Sequence, residues 1–407
     1  MRIPQLASVG LIAVLLCCGF IFPAAGLPAD GIPQTQEEIH SYAQQILRDE
    51  ILTYCAAVYA GENTPHMSAD QLAIAIKNYP EYPRRITDTK NTTITIVQPI
   101  ARMVAFNTQG IGALKAEDLV VGIANSTVED TIVMPALKDK INVGGGGPYE
   151  PDFEKILSSR PDALLTYTRL GPGPEFFEKR MPAGVPVIRL DFIRPWTLVP
   201  EMEKLGYLLN RTTQSSAYVQ WYDQWMTKID QRLAAIPDKD RTRVFIDIWS
   251  STYTNGNNER MTVSTMEYNY YCTDAGGINI ASSLKNPQGT VDIEWIAQQK
   301  PDVILGIAYA GGYGSDDITP LKTQYDELMD NPALKEVPAI KNKRVYIVSY
   351  RYVNGLAYPS ARARIASWFY PNQFADIDPA AIHQEYVTQF LGSSFDVTKH
   401  GAFWYAG

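Results

Sequence analysis

The chain has 407 residues, of which 45% are hydrophobic and 20% are charged, a balance typical of globular rather than disordered proteins. This length exceeds what one compact core usually holds, so two lobes are expected. The formal net charge is −8, and the sequence has no basic stripe, which argues against a nucleic acid as partner.

The first 26 residues have the features of an export signal. Arg2 supplies a positive charge, an apolar run covers residues 9–22, and small residues at 24–26 offer a cleavage site. The run has the length of a signal core and is shorter than a membrane-spanning helix. We therefore predict a signal peptide over residues 1–26 and an extracytoplasmic location. A retained N-terminal helix and a lipid anchor on a cysteine of the run stay open as alternatives.

Cys55 and Cys272 follow this predicted signal. In an oxidising compartment they could pair, and two separate buried thiols are equally compatible with the sequence. Sequons for N-glycosylation begin at Asn91, Asn125 and Asn210, and they fit surface loops of an exported protein.

After the predicted signal, the pattern of predicted secondary structure changes along the chain. Residues 27–83 form a polar N-terminal segment, rich in Gln and Glu, whose spacing predicts one or two short helices. From Thr93 onward, β-rich runs alternate with helix-length segments. Strands are predicted at residues 93–97, 102–106, 119–124, 162–167 and 185–192. Strands alternating with helices indicate βαβ units and a mostly parallel sheet, so an α/β lobe is predicted at 84–195.

Residues 196–238 show helical periodicity without strands. The apolar positions are Leu198, Met202, Leu205 and Leu209, then Tyr218, Trp221, Trp225, Ile229 and Leu233. A polar break separates the two sets, so we predict two consecutive connector helices.

The alternation of strands and helices resumes in residues 239–370, which predicts a second α/β lobe. Strands are expected at residues 243–249, 302–309 and 344–350, and helices at 264–275 and 355–369. Residues 371–407 are interpreted as a polar and aromatic C-terminal tail.

One unit of sequence occurs twice. Residues 152–165 align without gaps to residues 292–305, and Asp152, Glu154, Ile156, Pro161, Asp162 and Leu165 recur as Asp292, Glu294, Ile296, Pro301, Asp302 and Leu305. Each copy reads as a short helix, a Pro-Asp turn and a buried strand. One copy in each half predicts two lobes of similar build, and a cleft between lobes is a common place for a ligand.

Six sequence segments resemble those of a known protein family and occur in the same order along the chain. They are RMVAFNTQGIGALKAEDLVVGIANS, NVGGGGPYEPDFEKILSSRPDALLTY, LGYLLN, AGGINIA, VDIEWIAQQKPDVIL and VPAIKNKRVYIVS, and they lie within residues 85–370. The chain resembles the periplasmic binding proteins that serve importers of ferric siderophores, haem and cobalamin, in particular the archaeal iron-complex type.

The resemblance implies a fold of two Rossmann-like α/β lobes with mostly parallel sheets, joined by a long connector helix as in the helical-backbone metal receptors. It implies a non-enzymatic, monomeric protein that carries a chelated iron complex to the dimeric permease of an ABC importer. Glu154 and Glu294 match the acidic residues that dock on the permease, and their places in the repeat suit two symmetry-related subunits. Cobalamin, haem and oxyanions are alternative ligands.

Loops after the carboxyl ends of strands line the ligand site in such lobes. The candidate ligand-binding residues are Asn107, Thr108, Gly145, Tyr149, Tyr167, Arg169, Trp249, Tyr253, Tyr309, Tyr313, Arg351 and Tyr352. Tyrosines at 268, 270 and 271 begin a helix near the same edge, and Tyr350 ends a strand. Tyrosine offers an apolar face and a hydroxyl group, which suits a large, partly apolar ligand with oxygen atoms.

Two arginines in this set, Arg169 and Arg351, follow strands of opposite lobes. Their guanidinium groups could pair with carboxylate, hydroxamate or catecholate oxygens of a ligand, and a surface salt bridge is the alternative. The four histidines, at 40, 66, 383 and 400, fall outside the predicted ligand loops. A site for a bare zinc or manganese ion would usually use several histidines, so no bound metal or other cofactor is expected.

An enzyme is the alternative from another class, for example a secreted hydrolase that uses the same cleft. Asp316 and Asp317 are adjacent carboxylates, but they lie in a Gly/Ser-rich segment typical of a turn. The sequence shows no pair of nucleophile and base and none of the usual hydrolase, metalloprotease or nucleotide-binding motifs.

Overall fold

The structure is a computed structural model that describes residues 82, 84–96, 98–145, 150–168, 175–182, 184–249, 259–265 and 267–407. The predicted signal peptide, Cys55 and nearly all of the predicted N-terminal segment lie outside the described residues. Within the described part of the chain, no helix combines the length and apolar character needed to cross a membrane.

The chain divides into two compact units. Of the described residues, unit 1 contains those up to Val128 and those within Asp139–Asp191 and Glu201–Ser215, and unit 2 contains those within Glu129–Lys138, Phe192–Pro200 and Ser216–Gly407. The predicted lobes had simpler bounds, 84–195 and 239–370. The chain changes unit several times, and each unit therefore takes in short segments from distant parts of the sequence.

Unit 1 is built on a parallel sheet. Its elements are β1 (Arg84–Thr87), β2 (Thr93–Ile96), β3 (Met103–Ala105), α1 (Gln109–Ala113), β4 (Val120–Ile123), β5 (Ile141–Asn142), α2 (Phe153–Ser158), β6 (Ala163–Thr166) and β7 (Val187–Arg189). The strands pair in the order β5-β4-β3-β6-β7, all parallel, while β1 and β2 form a separate antiparallel hairpin. The central strands β3 and β6 are buried at every position, as expected for a parallel sheet that is covered on both faces.

Two helices follow unit 1's sheet in the chain, as the periodicity predicted. They are α3 (Pro195–Leu208) and α4 (Thr212–Ala234). They pack closely where Gly206 meets Ser215: a β-carbon at residue 206 would lie 2.5 Å from the Ser215 Cβ. The Ser215 hydroxyl donates to the carbonyl oxygen of Met202 at 3.1 Å, so a glycine at 206 lets the two helices make this contact.

Unit 2 contains a second sheet of the same kind. Its elements are β8 (Arg243–Trp249), β9 (Glu259–Val263), α5 (Glu267–Thr273), β10 (Ile278–Asn279), β11 (Gln288–Asp292), α6 (Ile293–Gln299), β12 (Val303–Ala308), α7 (Thr319–Met329), α8 (Pro338–Lys341), β13 (Val345–Ser349), α9 (Tyr350–Val353), α10 (Tyr358–Phe369), α11 (Pro379–Glu385), a π-helix (Tyr386–Phe390) and β14 (Trp404–Tyr405). The order is β10-β8-β12-β13-β14, with only β14 antiparallel to its neighbour. The predicted α/β fold with two mostly parallel sheets is confirmed.

The hairpin of β9 and β11 was not predicted from the sequence. The two strands pair antiparallel, with Val263 opposite Gln288. The helix predicted at 264–275 is shorter in the structure, because β9 extends to Val263 and α5 covers only Glu267–Thr273.

Residues 371–407, predicted as a tail, are part of unit 2. Their buried apolar residues are Phe374, Ile377, Ile382, Tyr386, Val387, Phe390, Leu391, Ala402 and Phe403. This C-terminal segment contacts α4: the indole N–H groups of Trp221 and Trp225 both donate to one carboxylate oxygen of Glu385 at 3.0 Å. It also supplies β14, which pairs with β13. The segment therefore completes both the sheet and the helical layer of unit 2.

Both copies of the internal repeat fold as predicted, into a helix, a turn and a strand. The first copy is α2 and β6, and the second is α6 and β12. Ile156 and Ile296 are fully buried on their helices. Arg160 and Lys300, which differ in type, both adopt positive φ, of 49° and 50°, so the two helices end with the same backbone geometry.

The repeat extends to the strand that precedes it in each sheet. The backbone N–H of Arg102, next to β3, donates to the Asp162 carboxylate at 2.9 Å, and that of Arg243, in β8, donates to the Asp302 carboxylate at 3.0 Å. Each arginine side chain also donates to a carbonyl oxygen at the end of the repeat helix. The same turn is thus held in both units by the same pair of contacts.

A buried ion pair fixes the hairpin of unit 2 to its sheet. Asp247, in β8, is fully buried. Its two carboxylate oxygens accept from Nε and Nη2 of Arg260 at 2.8 and 2.6 Å, and Gln324 donates to the same carboxylate at 2.8 Å. A β-carbon at Gly306 would lie 2.7 Å from the Gln324 Nε2, so this strand glycine makes room for the network.

Cys272 and the three sequon residues all lie in the described part of the chain. Cys272, in α5, is a free and fully buried thiol, and burial raises its pKa. The sequon residues Asn91, Asn125 and Asn210 are all exposed, so the expectation that they lie at the surface is confirmed.

Candidate functional site

Three tyrosines meet at the carboxyl edge of the sheet in unit 2. Tyr309 directly follows β12, Tyr350 directly follows β13, and Tyr268 lies in the first turn of α5. The ring centroids of Tyr309 and Tyr350 are 5.2 Å apart, and those of Tyr268 lie 5.8 Å from Tyr350 and 6.4 Å from Tyr309. We call these residues the tyrosine triad. The carboxyl edge of parallel strands is where α/β sheets bind ligands.

The triad combines exposed ring surface with ordered hydroxyl groups. Tyr309 is 52% exposed, and its hydroxyl is hydrogen-bonded to that of Tyr268. Burial, and then the hydrogen bond to Tyr309, raise the pKa of Tyr268, so its hydroxyl stays protonated at neutral pH. The triad thus presents an aromatic surface that includes the neutral hydroxyl group of Tyr268.

Two further contacts lie beside the triad on α5. Tyr271 is buried and donates its hydroxyl to the side-chain oxygen of Asn354, just after α9. Tyr270 packs on Trp196 with ring centroids 4.0 Å apart, and both rings are partly exposed. The tyrosines at 268, 270 and 271 therefore lie near the strand ends, as the sequence predicted.

Arg351, another predicted ligand-binding residue, follows Tyr350 and is exposed. Its Nη1 lies 3.1 Å from a carboxylate oxygen of Glu129, which also belongs to unit 2. The sequence left two roles open for Arg351, a surface salt bridge and a ligand contact. The salt bridge is present in the structure, and the ligand contact stays a prediction.

The structure places Tyr313 and Tyr352 in a packed aromatic cluster. The hydroxyl of Tyr313 is hydrogen-bonded to Nε2 of His383 at 2.7 Å. The rings of Tyr313 and Tyr352 lie 5.1 and 5.7 Å from Phe403, and Tyr352 is only 3% exposed. Both follow strands, as the predicted ligand residues should, but the C-terminal segment packs against them and leaves Tyr313 half-buried and Tyr352 buried.

In unit 1, two of the predicted residues, Asn107 and Thr108, are buried just after β3. The Asn107 amide donates to the carbonyl oxygens of Leu190 and Asp191 at 3.3 and 2.9 Å. It therefore connects the end of β3 to the end of β7. Thr108 caps α1 by position.

The other predicted residues of unit 1 lie near segments outside the description. Gly145 adopts a φ of 58°, and a β-carbon there would lie 2.5 Å from the carbonyl oxygen of Glu150, so this turn requires glycine. Tyr167 is half-buried and packs on the core of unit 1. The predictions for Tyr149, Arg169, Tyr253 and the side chain of Trp249 fall outside the described residues.

Glu154 and Glu294 occupy equivalent places in the two units. Each is the second residue of its repeat helix, and each is exposed. Neither carboxylate forms an ion pair with any residue in the described ranges. Both are thus available at the surface, and their contact with a permease stays a prediction.

The two histidines in the described part of the chain are both engaged within unit 2. His400 lies 3.0 Å from a carboxylate oxygen of Asp316. His383 is 3% exposed and packs against Phe403 at 4.6 Å between ring centroids. The described residues contain no cluster of three or more His, Cys, Asp and Glu side chains with the geometry to hold a metal ion.

His383 is expected to make unit 2 sensitive to acid. Burial lowers its pKa to about 3, whereas the unfolded chain takes up this proton near pH 6.5. Stability from this group is complete above about pH 6.5 and is lost as the pH falls toward 3, by up to about 1.4 kcal/mol per pH unit. Urea unfolding at a series of pH values measures this slope.

His383→Gln should flatten that slope between pH 6.5 and 4, because it removes the buried imidazole. Equal slopes in the wild type and in His383→Gln would contradict the assignment.

Some features of this edge were not predicted from the sequence. Trp196 is the second residue of α3, within the predicted connector helices. Glu129 lies in a 3₁₀ helix (Asn125–Ile132) whose sequence contains no recognisable motif. Their partners, Tyr270 and Arg351, are more than 70 residues away in the chain. Only the folded structure brings such pairs together.

Together, the two parallel-sheet units, the repeated helix–turn–strand and the aromatic strand ends define a two-unit solute-binding protein. Residues 100–352 match the family described as periplasmic binding protein. The chain belongs to this family, which confirms the predicted kinship with receptors for ferric siderophores, haem and cobalamin. Proteins of the family bind small ligands outside the cytoplasm and work with ABC permeases.

Solved structures agree on the fold. The TroA-like periplasmic binding protein FepB from Veillonella parvula matches with a TM-score of 0.65 and 19% identity, over 79% of this chain and 99% of that one. The molybdate binding protein MolA of Haemophilus influenzae, bound to molybdate, matches with a TM-score of 0.59 and 18% identity, over 77% and 99%. A periplasmic heme binding protein from Pseudomonas aeruginosa matches with a TM-score of 0.52 and 20% identity, over 67% and 93%. A comparison with curated protein sequences finds no match.

Proposed function

We propose that this protein is the substrate-binding component of an ABC importer and that its ligand is a chelated iron complex of the ferric siderophore kind. The tyrosine triad is the observation that carries this proposal. It offers an exposed ring of Tyr309, ordered hydroxyl groups and the neighbouring Arg351 guanidinium at one edge of the sheet. Such a surface suits a bulky, partly apolar chelate with oxygen atoms.

The exposed carboxylates of Glu154 and Glu294 support the delivery step. They stand on two helices with the same sequence pattern and the same turn. Equivalent carboxylates on two similar units suit basic residues on two related permease subunits. We propose that these two residues dock the loaded protein on its permease.

Isothermal titration of the purified protein tests the ligand. We expect a ferric trihydroxamate or a ferric tricatecholate to bind, and cobalamin, haem and molybdate to bind weakly or not at all. Preference for one of the latter three would replace the iron complex by that ligand, and indifference to the whole panel would contradict the proposal.

Tyr309→Ala should lower the affinity for the chelate about tenfold or more, because a buried aromatic contact in a binding site contributes about 1–2 kcal/mol or more. Tyr309→Phe keeps the ring and should retain most of the affinity. Trp404→Ala removes a partly exposed ring from the edge strand β14 and should leave binding unchanged. Equal affinity in Tyr309→Ala and Trp404→Ala would exclude the triad as the site.

A further inference from the structure

The ion pair of Arg351 and Glu129 rests on the loop that follows β12. At Gly312, with a φ of +108°, a β-carbon would lie 2.7 Å from the Cδ of Arg351, and at Gly314 it would lie 2.7 Å from the Cδ of Glu129. Any larger residue at either position would push one of the two side chains away. Glycine at positions 312 and 314 thus leaves room for the Arg351 guanidinium and the Glu129 carboxylate.

The ion pair of Arg351 and Glu129 adjoins the tyrosine triad. Gly312 is three residues beyond Tyr309, and Arg351 directly follows Tyr350. The cation therefore belongs to the same strand ends as the aromatic surface. Glu129 reaches it from a separate segment, residues 129–138, that packs on unit 2.

The pair is open to solvent. The side chains of Arg351 and Glu129 are 42% and 47% exposed. Exposed ion pairs are weak because water and salt screen them. A ligand oxygen with negative charge can therefore replace the Glu129 carboxylate without a large penalty.

We propose that the Glu129 carboxylate occupies the place of an anionic group of the ligand and competes with it for Arg351. Glu129 is then a specificity-determining residue: an anionic chelate must displace it, and a neutral chelate has no net charge with which to compete against it for Arg351. This inference rests on the proposed binding function at the same strand ends and adds the charge of the preferred ligand.

Titration of single and double variants with two probes tests the competition. With the anionic ferric tricatecholate, Glu129→Gln should raise the affinity about two- to fivefold, the range for an exposed ion pair. With a neutral ferric trihydroxamate, the same variant should leave the affinity unchanged. Asp139→Asn is the matched control, since it removes one negative charge from an exposed residue ten positions further on, and it should change neither affinity.

The dependence on Arg351 separates competition from a general charge effect. Arg351→Gln should lower the affinity for the tricatecholate about tenfold, because it removes a charge-assisted contact. In that background, Glu129→Gln should have no further effect, which a double-mutant cycle detects.

Binding of the tricatecholate with equal affinity in the wild type, Glu129→Gln and Asp139→Asn would overturn this inference and leave the binding function standing. A gain from Glu129→Gln that persists in Arg351→Gln would also overturn it. If neither chelate binds the wild type or any variant, both the binding function and this inference are wrong.

Discussion

A chain that ends at Tyr370 is expected not to fold its second unit. The deleted segment buries nine apolar side chains in unit 2, including Phe374, Ile382 and Phe390. Burial of each large apolar side chain contributes about 1.5–3 kcal/mol, so the combined loss reaches the roughly 5–15 kcal/mol by which whole domains are stable. The deletion also exposes Tyr313 and Tyr352 and removes β14 from the sheet.

Soluble yield, far-UV circular dichroism and resistance to protease measure this effect. Deletion of only residues 406–407 leaves β14 intact and serves as the control, which should behave as the wild type. Cooperative unfolding of the long truncation at the wild-type urea midpoint would show that residues 371–407 are dispensable and would contradict the assignment of this segment to the core of unit 2.

Arg260→Ala is expected to lower the free energy of unfolding by about 3–5 kcal/mol, because it leaves the carboxylate of Asp247 buried without its cation. Asp247 is fully buried, and the side chain of Arg260 is only 10% exposed. The variant should keep Gln324 as a partner of Asp247, but one amide cannot replace a bidentate guanidinium.

Arg232→Ala is the matched control in the same unit. Arg232 also makes a bidentate contact, with Asp376 at 2.8 and 2.7 Å, but the two side chains are 36% and 60% exposed. Exposed pairs contribute about 0–1 kcal/mol, so urea unfolding should separate the two variants clearly. Similar losses in both would show that burial of Asp247 does not govern the effect.

The regular part of the fold could be predicted because its signals are local. A buried parallel strand such as β12 is a short apolar run, and a Pro-Asp turn precedes it in both copies of the repeat. The identity of Asp162 and Asp302 has a direct cause in the structure, since each accepts a backbone N–H from the neighbouring strand. Such contacts recur wherever the same unit recurs.

The C-terminal segment could not be predicted in this way. Pro371 and Pro379 interrupt its pattern, and its short helix α11 passes into a π-helix that shifts the spacing of Ile382, Tyr386 and Phe390. Its strand β14 has two residues. Burial of this segment depends on partners such as Tyr218 on α4, which lie far away in the sequence.

For the candidate site, the sequence predicted which residues follow strands, but it did not predict which of their side chains meet. Tyr309 and Tyr350 follow strands and contact each other, while Tyr313 and Tyr352 follow the same two strands and pack against Phe403 of the C-terminal segment. Sequence position alone does not distinguish the two pairs, because the distinction arises from long-range packing of the C-terminal segment. The same limit explains Asn107, whose amide connects β7 to β3.

The thiol of Cys272 gives α5 a built-in chemical reporter. It lies one helical turn after Tyr268, and a β-carbon at Gly277 would come within 2.8 Å of its sulfur atom. A maleimide can reach this sulfur only when α5 separates from the glycine, and the raised pKa keeps the thiolate scarce until then. The rate of alkylation at Cys272, followed by peptide mapping, thus measures how often α5, the helix that carries Tyr268 of the triad, opens in the native sequence.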